Sequence, residues 1–198
     1  GTAQYVPIDE KHPVNPQSPY AATKSGADQL ALTFHRSFGL PVSVIRPFNT
    51  FGPRQSARAV IPTIISQLLA GKKSIKLGNL EATRDMNYVL NTCEGFCHVG
   101  LHEKSTGEVL NLGSNREITI KDLAELIASL MDKELKIEID DKRIRPDKSE
   151  VERLLCDSSK AKELTGWEPR HTLEEGLKET IDWLKDHMEH YKPDIYNV

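Results

Sequence analysis

Long apolar runs are missing from this 198-residue chain. The most apolar window, residues 60–70, is broken by Pro62, Thr63, Ser66 and Gln67, short of the ~18–20 apolar residues a membrane helix needs. The first ten residues hold neither a basic n-region nor an apolar h-region, so no secretory signal is read there. Cysteine is scarce and odd in number, three in all. That excludes a disulfide framework and suits a reducing cytoplasm. Neither sign of charge dominates: 26 basic against 29 acidic residues leave a net −3, without the basic stripe of a dedicated nucleic-acid binder. Internal repeats, low-complexity tracts and any Gly-x-Gly-x-x-Gly are also absent. At 38% hydrophobic and 28% charged residues, the composition excludes disordered, fibrous and collagen-like classes. The length suffices for one ordinary domain or two small ones.

What is present alternates between helix and strand. Prolines at 7, 13, 16 and 19 make the opening a loop. Ala27, Leu30, Ala31, Phe34 and Phe38 recur at helical spacing over 20–38, with Gly39 and Pro41 as stops. Residues 42–45 suit a buried parallel strand, and 46–55 a loop leaving its carboxyl end. Helices are expected over 60–70, 91–103 (capped by Asn91), 121–131, 159–164 and 173–188. Strands or extended segments are expected over 74–77, 84–89, 108–112, 117–120 and 135–139. The pattern is α/β: the first half resembles the last part of a doubly wound sheet, and the second a smaller lobe built on it.

The sharpest local feature is Ser18-Pro19-Tyr20-Ala21-Ala22-Thr23-Lys24. Residues four apart share one helix face. An ammonium there favours the phenolate and is expected to draw the tyrosine pKa down from about 10, suiting Tyr20 to general acid–base work. Taken alone, the spacing equally fits a surface Tyr and Lys on an amphipathic helix.

Further motifs follow in order: Arg46-Pro47-Phe48-Asn49-Thr50-Phe51-Gly52-Pro53-Arg54, Val60-Ile61-Pro62, Gly78-Asn79, Arg84-Asp85-x-x-Tyr88-Val89, Asn111-Leu112-Gly113, Arg145-Pro146, Asp157-x-x-Lys160-Ala161, and Leu164-x-Gly166-Trp167-x-Pro169. Together with Tyr20-x-x-x-Lys24 this series resembles the extended short-chain dehydrogenase/reductases, the NAD-dependent nucleotide-sugar epimerases and dehydratases, over essentially the whole chain. Pro7-Ile8-Asp9-Glu10-x-His12-Pro13, the Arg54–Ala59 run and Arg145–Val151 are most similar to 4,6-dehydratases of nucleotide-linked N-acetylglucosamine in legionaminic-type acid synthesis.

The resemblance implies a division of labour. Tyr20 and Lys24 would be catalytic and touch the cofactor, NAD, with Pro47 and Phe48 lining the nicotinamide pocket. Asn49 and Val60 would meet the substrate, Lys76 and Leu77 the base, Arg84 and Arg145 the diphosphate, and Glu150 the nucleotide ribose. A planar, permanently charged guanidinium fork suits the diphosphate role. Residues 1–58 would be the carboxyl-terminal part of the NAD-binding Rossmann domain. Residues 59–198 would be mainly the substrate lobe, with some segments returning to the Rossmann domain. The expected activity is 4,6-dehydration of a UDP-, GDP- or dTDP-linked sugar by a cytoplasmic enzyme, a homodimer when full length. Its alternatives are a 4-epimerase and a non-catalytic sugar-nucleotide binding module.

The missing glycine loop belongs upstream of the Tyr–Lys helix in this family, as do a Ser/Thr and the dehydratase's acidic residues. With Gly1 in place of an initiator Met, the expectation is a C-terminal fragment, inactive alone. Leu90-Asn91 stands where relatives often carry an acidic pair. Cys93, Cys97, His98 and His102 lie at roughly 0°, 40°, 140° and 180° around a helix axis, too divergent for a tetrahedral metal. The reading there is buried cysteines and surface histidines, and no metal site. His187 and His190 read as solvated, Trp167 as a packing anchor and Trp183 as core.

Overall fold

A computed structural model describes residues 1–72, 74–143 and 151–193. Helix α1 (Pro19–Phe38) leads to strands β1 (Val44–Pro47) and β2 (Asn49–Phe51), helix α2 (Val60–Leu69), and strands β3 (Ile75–Leu77) and β4 (Thr83–Tyr88). Helix α3 (Val89–Leu101), strands β5 (Val109–Leu112) and β6 (Glu117–Thr119), helix α4 (Ile120–Leu130) and strand β7 (Ile137–Ile139) follow, then helices α5 (Ser159–Thr165) and α6 (Leu173–Asp186). The α/β alternation and the parallel pairing are as expected. Strand β1 runs parallel to β5, β2 to β4 and β3 to β7, while β6 pairs antiparallel with β4.

The pairing explains where the strands differ from expectation. The first strand covers 44–47 rather than 42–45, because Val42 donates to Leu40 O in a turn while Val44 enters the ladder against Val109. Asn49–Phe51, expected as loop, is a strand because β4 offers it a partner: Asn49 faces Met86 and Phe51 faces Tyr88. Helix α3 begins at Val89, so Asn91 is not its cap. Asn91 is fully buried instead. Its Oδ1 accepts from Arg170 and His171 amides and its Nδ2 donates to His171 O, pinning the turn before α6.

Two apolar clusters form. The larger joins α2 (Ile61, Ile64, Ile65), α4 (Leu123, Ile127) and α6 (Leu177, Ile181, Leu184) around Phe51, Met86 and Tyr88. The smaller gathers Val99, Leu110, Leu112 and Ala161 on Trp167, which is packed as expected. Trp183 is only half-buried and stacks on His187 at 4.2 Å, so His187 is half-buried rather than solvated. Cys93 and Cys97 are exposed, and only Cys156 is buried: α3 turns its cysteine side away from Trp167 and β5.

Candidate active site

The site starts at the first turn of α1. Ser18 Oγ accepts from Ala21 N–H at 3.1 Å and Pro19 occupies the first turn, which sets Tyr20 at the mouth of the helix. Lys24 follows one turn later on the same face, its Nζ 5.6 Å from the centre of the Tyr20 ring, within cation–π range. Tyr20 is 71% exposed.

The second component is the β1–β2 connection. Arg46 Nε meets Asp28 Oδ2 at 2.7 Å, tying α1 to β1 one turn beyond Lys24. Phe48 N–H donates to Leu112 O at 2.8 Å, so β5 holds the connection in place. Two clefts meet here. The larger, of about 700 Å³, is lined by Tyr20, Asn49, Val60, Leu77 and Arg84 among others. The other, of about 570 Å³, is lined by Tyr20, Lys24, Pro47, Phe48 and Asn49. Of the residues singled out for substrate, Asn49, Val60, Leu77 and Arg84 line one cleft, and those singled out for cofactor line the other. Gly1, Tyr20, Ala21, Asn49 and Leu154 belong to both.

Lys76 does not join them. Successive residues of a strand face opposite ways, so Leu77 is buried toward the cleft while Lys76 is exposed. The Lys76 backbone is held by Gln67, whose Oε1 accepts from its N–H at 2.9 Å. Arg145 and Glu150 lie outside the described residues.

The larger cleft has a one-sided electrostatic lining: Arg58, Arg84 and Arg143, and no carboxylate among its described residues. Arg84 Nη1 donates to Thr83 O at 2.7 Å, and Arg143 Nε pairs with Asp140 at 3.2 Å. The smaller of the two clefts does carry acid, Asp9 and Asp28. The Tyr5 hydroxyl donates to Asp9 at 2.6 Å, which pushes the phenol up to about 12 and holds the carboxyl below its usual range.

Sequence reasoning missed Asp85, although its motif was in view. Its carboxylate is fully buried. It accepts from Ser114 N–H and Oγ (both 2.7 Å), Asn115 N–H (3.0 Å) and Cys156 N–H (3.1 Å). Burial pushes its pKa up while these hydrogen bonds oppose the rise. Gly113 lies so close that a Cβ would fall 2.3 Å from that of Cys156, hence the glycine of Asn111-Leu112-Gly113. The clamp holds the 151–157 segment along β4, with a bridge from Arg153 to Thr83. Leu154, also missed, is thereby set at the junction of the two clefts.

A family model described as GDP-mannose 4,6 dehydratase matches residues 1–180. The chain belongs to that family. It is 34% identical over 184 residues to a dTDP-glucose 4,6-dehydratase of Xanthomonas campestris pv. campestris, covering 88% of this chain and 51% of that protein. The NAD complex of Bacillus anthracis dTDP-glucose 4,6-dehydratase superposes with a TM-score of 0.81 at 33% identity, over 94% of this chain and 58% of that one. A UDP-N-acetylglucosamine 4-epimerase from Methanobrevibacter ruminantium, solved with UDP-N-acetylmuramic acid, gives 0.85 at 31%, over 95% and 60%. The chain therefore spans about half the length of these relatives. The family read from the ordered motifs, and its Rossmann-like α/β fold, are borne out.

Proposed function

We propose that this chain is the carboxyl-terminal part of a nucleotide-sugar 4,6-dehydratase that uses NAD. Residues 1–58 complete the dinucleotide-binding domain, and residues 59–198 form mainly the nucleotide-sugar lobe. The observation that carries this reading is the shared wall: Tyr20 and Asn49 line both a cleft whose charged side chains, among the described residues, are arginines and the cleft that holds Lys24, Pro47 and Phe48. An anionic nucleotide-sugar suits the first, and the nicotinamide end of a dinucleotide suits the ammonium and apolar wall of the second.

When bound, NAD supplies the hydride acceptor and donor. Lys24 would hold its nicotinamide ribose, and Pro47 and Phe48 its ring. Tyr20 takes the proton of the sugar 4-hydroxyl, with Lys24 one turn away on the same helix face. The resulting C4 ketone acidifies C5, and water leaves from C6. Asn49 holds the junction of phosphate and sugar, Val60 meets the substrate through its backbone, and Leu77 faces the base. Arg84 and Arg145 grip the diphosphate, and Glu150 the nucleotide ribose. The intact protein is a cytoplasmic homodimer, and the 198-residue chain alone is inactive.

The test is mass spectrometry of the intact protein incubated with UDP-, GDP- and dTDP-linked hexoses. A product lighter by one water, a 4-keto-6-deoxy sugar, supports dehydration. Conversion at constant mass favours the second reading, a 4-epimerase, for which the M. ruminantium likeness speaks. Tyr20→Phe is expected to lower kcat by about 10²–10⁴-fold without moving the thermal midpoint, since the side chain is largely exposed.

A further inference from the structure

We infer that Arg58 is a substrate-binding residue of the larger cleft, pairing with an anionic oxygen of the bound diphosphate. The inference rests on the nucleotide-sugar reading above. Three guanidinium groups line the cleft, and they differ in what already holds them. Arg143 is paired with Asp140, and Arg84 donates to the Thr83 carbonyl. Arg58 belongs to the β2–α2 connection, is exposed, and its guanidinium has no hydrogen bond or ion pair to any described residue.

The backbone that presents Arg58 is, by contrast, well tied. Its N–H donates to Ser56 Oγ at 3.3 Å, and Ala59 N–H donates to Ser56 O at 2.9 Å. Thr63 Oγ1 donates to Ala57 O at 3.2 Å, and Gln55 Nε2 to Thr50 O at 3.0 Å. A fixed backbone limits the ordering cost of binding to the side chain alone. Nothing local competes for the guanidinium either. The residue after it, Ala59, caps α2 without a side-chain bond, and the first turn of α2 contains no acid. A charged fork on a fixed turn, inside a cleft without a carboxylate among its described residues, is matched by an anion from outside the chain. A diphosphate is the anion this cleft's proposed substrate brings.

The experiment measures affinity of the intact protein for UDP, GDP and dTDP at several salt concentrations, in wild type, Arg58→Ala and Arg58→Lys. For the best-bound nucleotide, Arg58→Ala is expected to weaken binding about ten- to a hundredfold, the range of one charge-assisted bond. Its salt dependence becomes shallower and its thermal midpoint stays put, while Arg58→Lys recovers part of the affinity. Unchanged affinity in Arg58→Ala, or a loss that leaves the salt dependence intact, overturns the role of Arg58 while the nucleotide-sugar reading stands. A wild type that binds none of the three overturns both.

Discussion

Helices α1 and α2 both carry apolar residues at helical spacing, yet the structure uses them in opposite ways. Of twenty residues in α1 only Leu32 is buried, and Leu30, Phe34 and Phe38 are 61%, 43% and 72% exposed. Seven of the ten residues of α2 are buried. The ends reverse the contrast. Helix α1 has a Ser18 cap, an early proline and Gly39 in the left-handed region at φ 67°, whereas α2 has no side-chain cap. So α2 is a helix because its apolar stripe is packed on α4 and α6. Helix α1 is one because its termini are chemically written and because Asp28 fastens it to Arg46. The helix that bears Tyr20 and Lys24 is held by a few polar ties, and the lobe beside it by a core.

The sharpest way to break this contrast is to remove core volume. Ile64→Ala and Leu177→Ala, both at fully buried positions, are each expected to cost about 2–5 kcal/mol in denaturant unfolding. Leu30→Ala on α1 is expected to stay within about 0.5 kcal/mol. A Leu30 cost as large as that of Ile64 would mean the apolar face of α1 is covered in the assembled protein. Next in size, Ser18→Ala is expected to cost about 1 kcal/mol. Hydrogen exchange should rise in the first turn of α1 and stay unchanged in α2.

The smallest effect concerns the 151–157 segment. Glu117 accepts from Arg153, which holds its carboxyl below the usual range. A depressed folded-state pKa contributes stability above the unfolded value and loses it as pH falls through the folded one. Wild type should therefore exceed Glu117→Gln by no more than about 1 kcal/mol at neutral pH. The gap should close in acid, which a pH series of thermal melts would read. A gap that persists in acid would assign the strap to something other than this ion pair.

Much of this site was legible before any coordinates. Tyr20 and Lys24 share a face because spacing and a serine cap are local properties, and Val60, Leu77 and Arg84 line one cleft while Lys24, Pro47 and Phe48 line the other. Where reading failed, a distant partner decided. Asn49–Phe51 shows no alternation of its own and becomes a strand against β4. Asn91 looks like a cap but satisfies a turn some 80 residues away. Asp85 stood inside a recognised motif, yet its hydrogen bonds come from loops whose approach only folding produces.

The sequence by itself determined the α/β class, the family, the termini of α1 and the spacing of its phenol and amine, since all of these follow from residue order over a few turns or from motifs in series. Tertiary structure alone decided that Leu77 and not Lys76 enters the cleft, that Leu154 lies between the two cavities, and that three arginines from separate elements share one wall without a carboxylate among the described residues. The physical reason is the same for each: strand register and the convergence of distant loops are set by what packs and pairs across the chain, which no local pattern encodes.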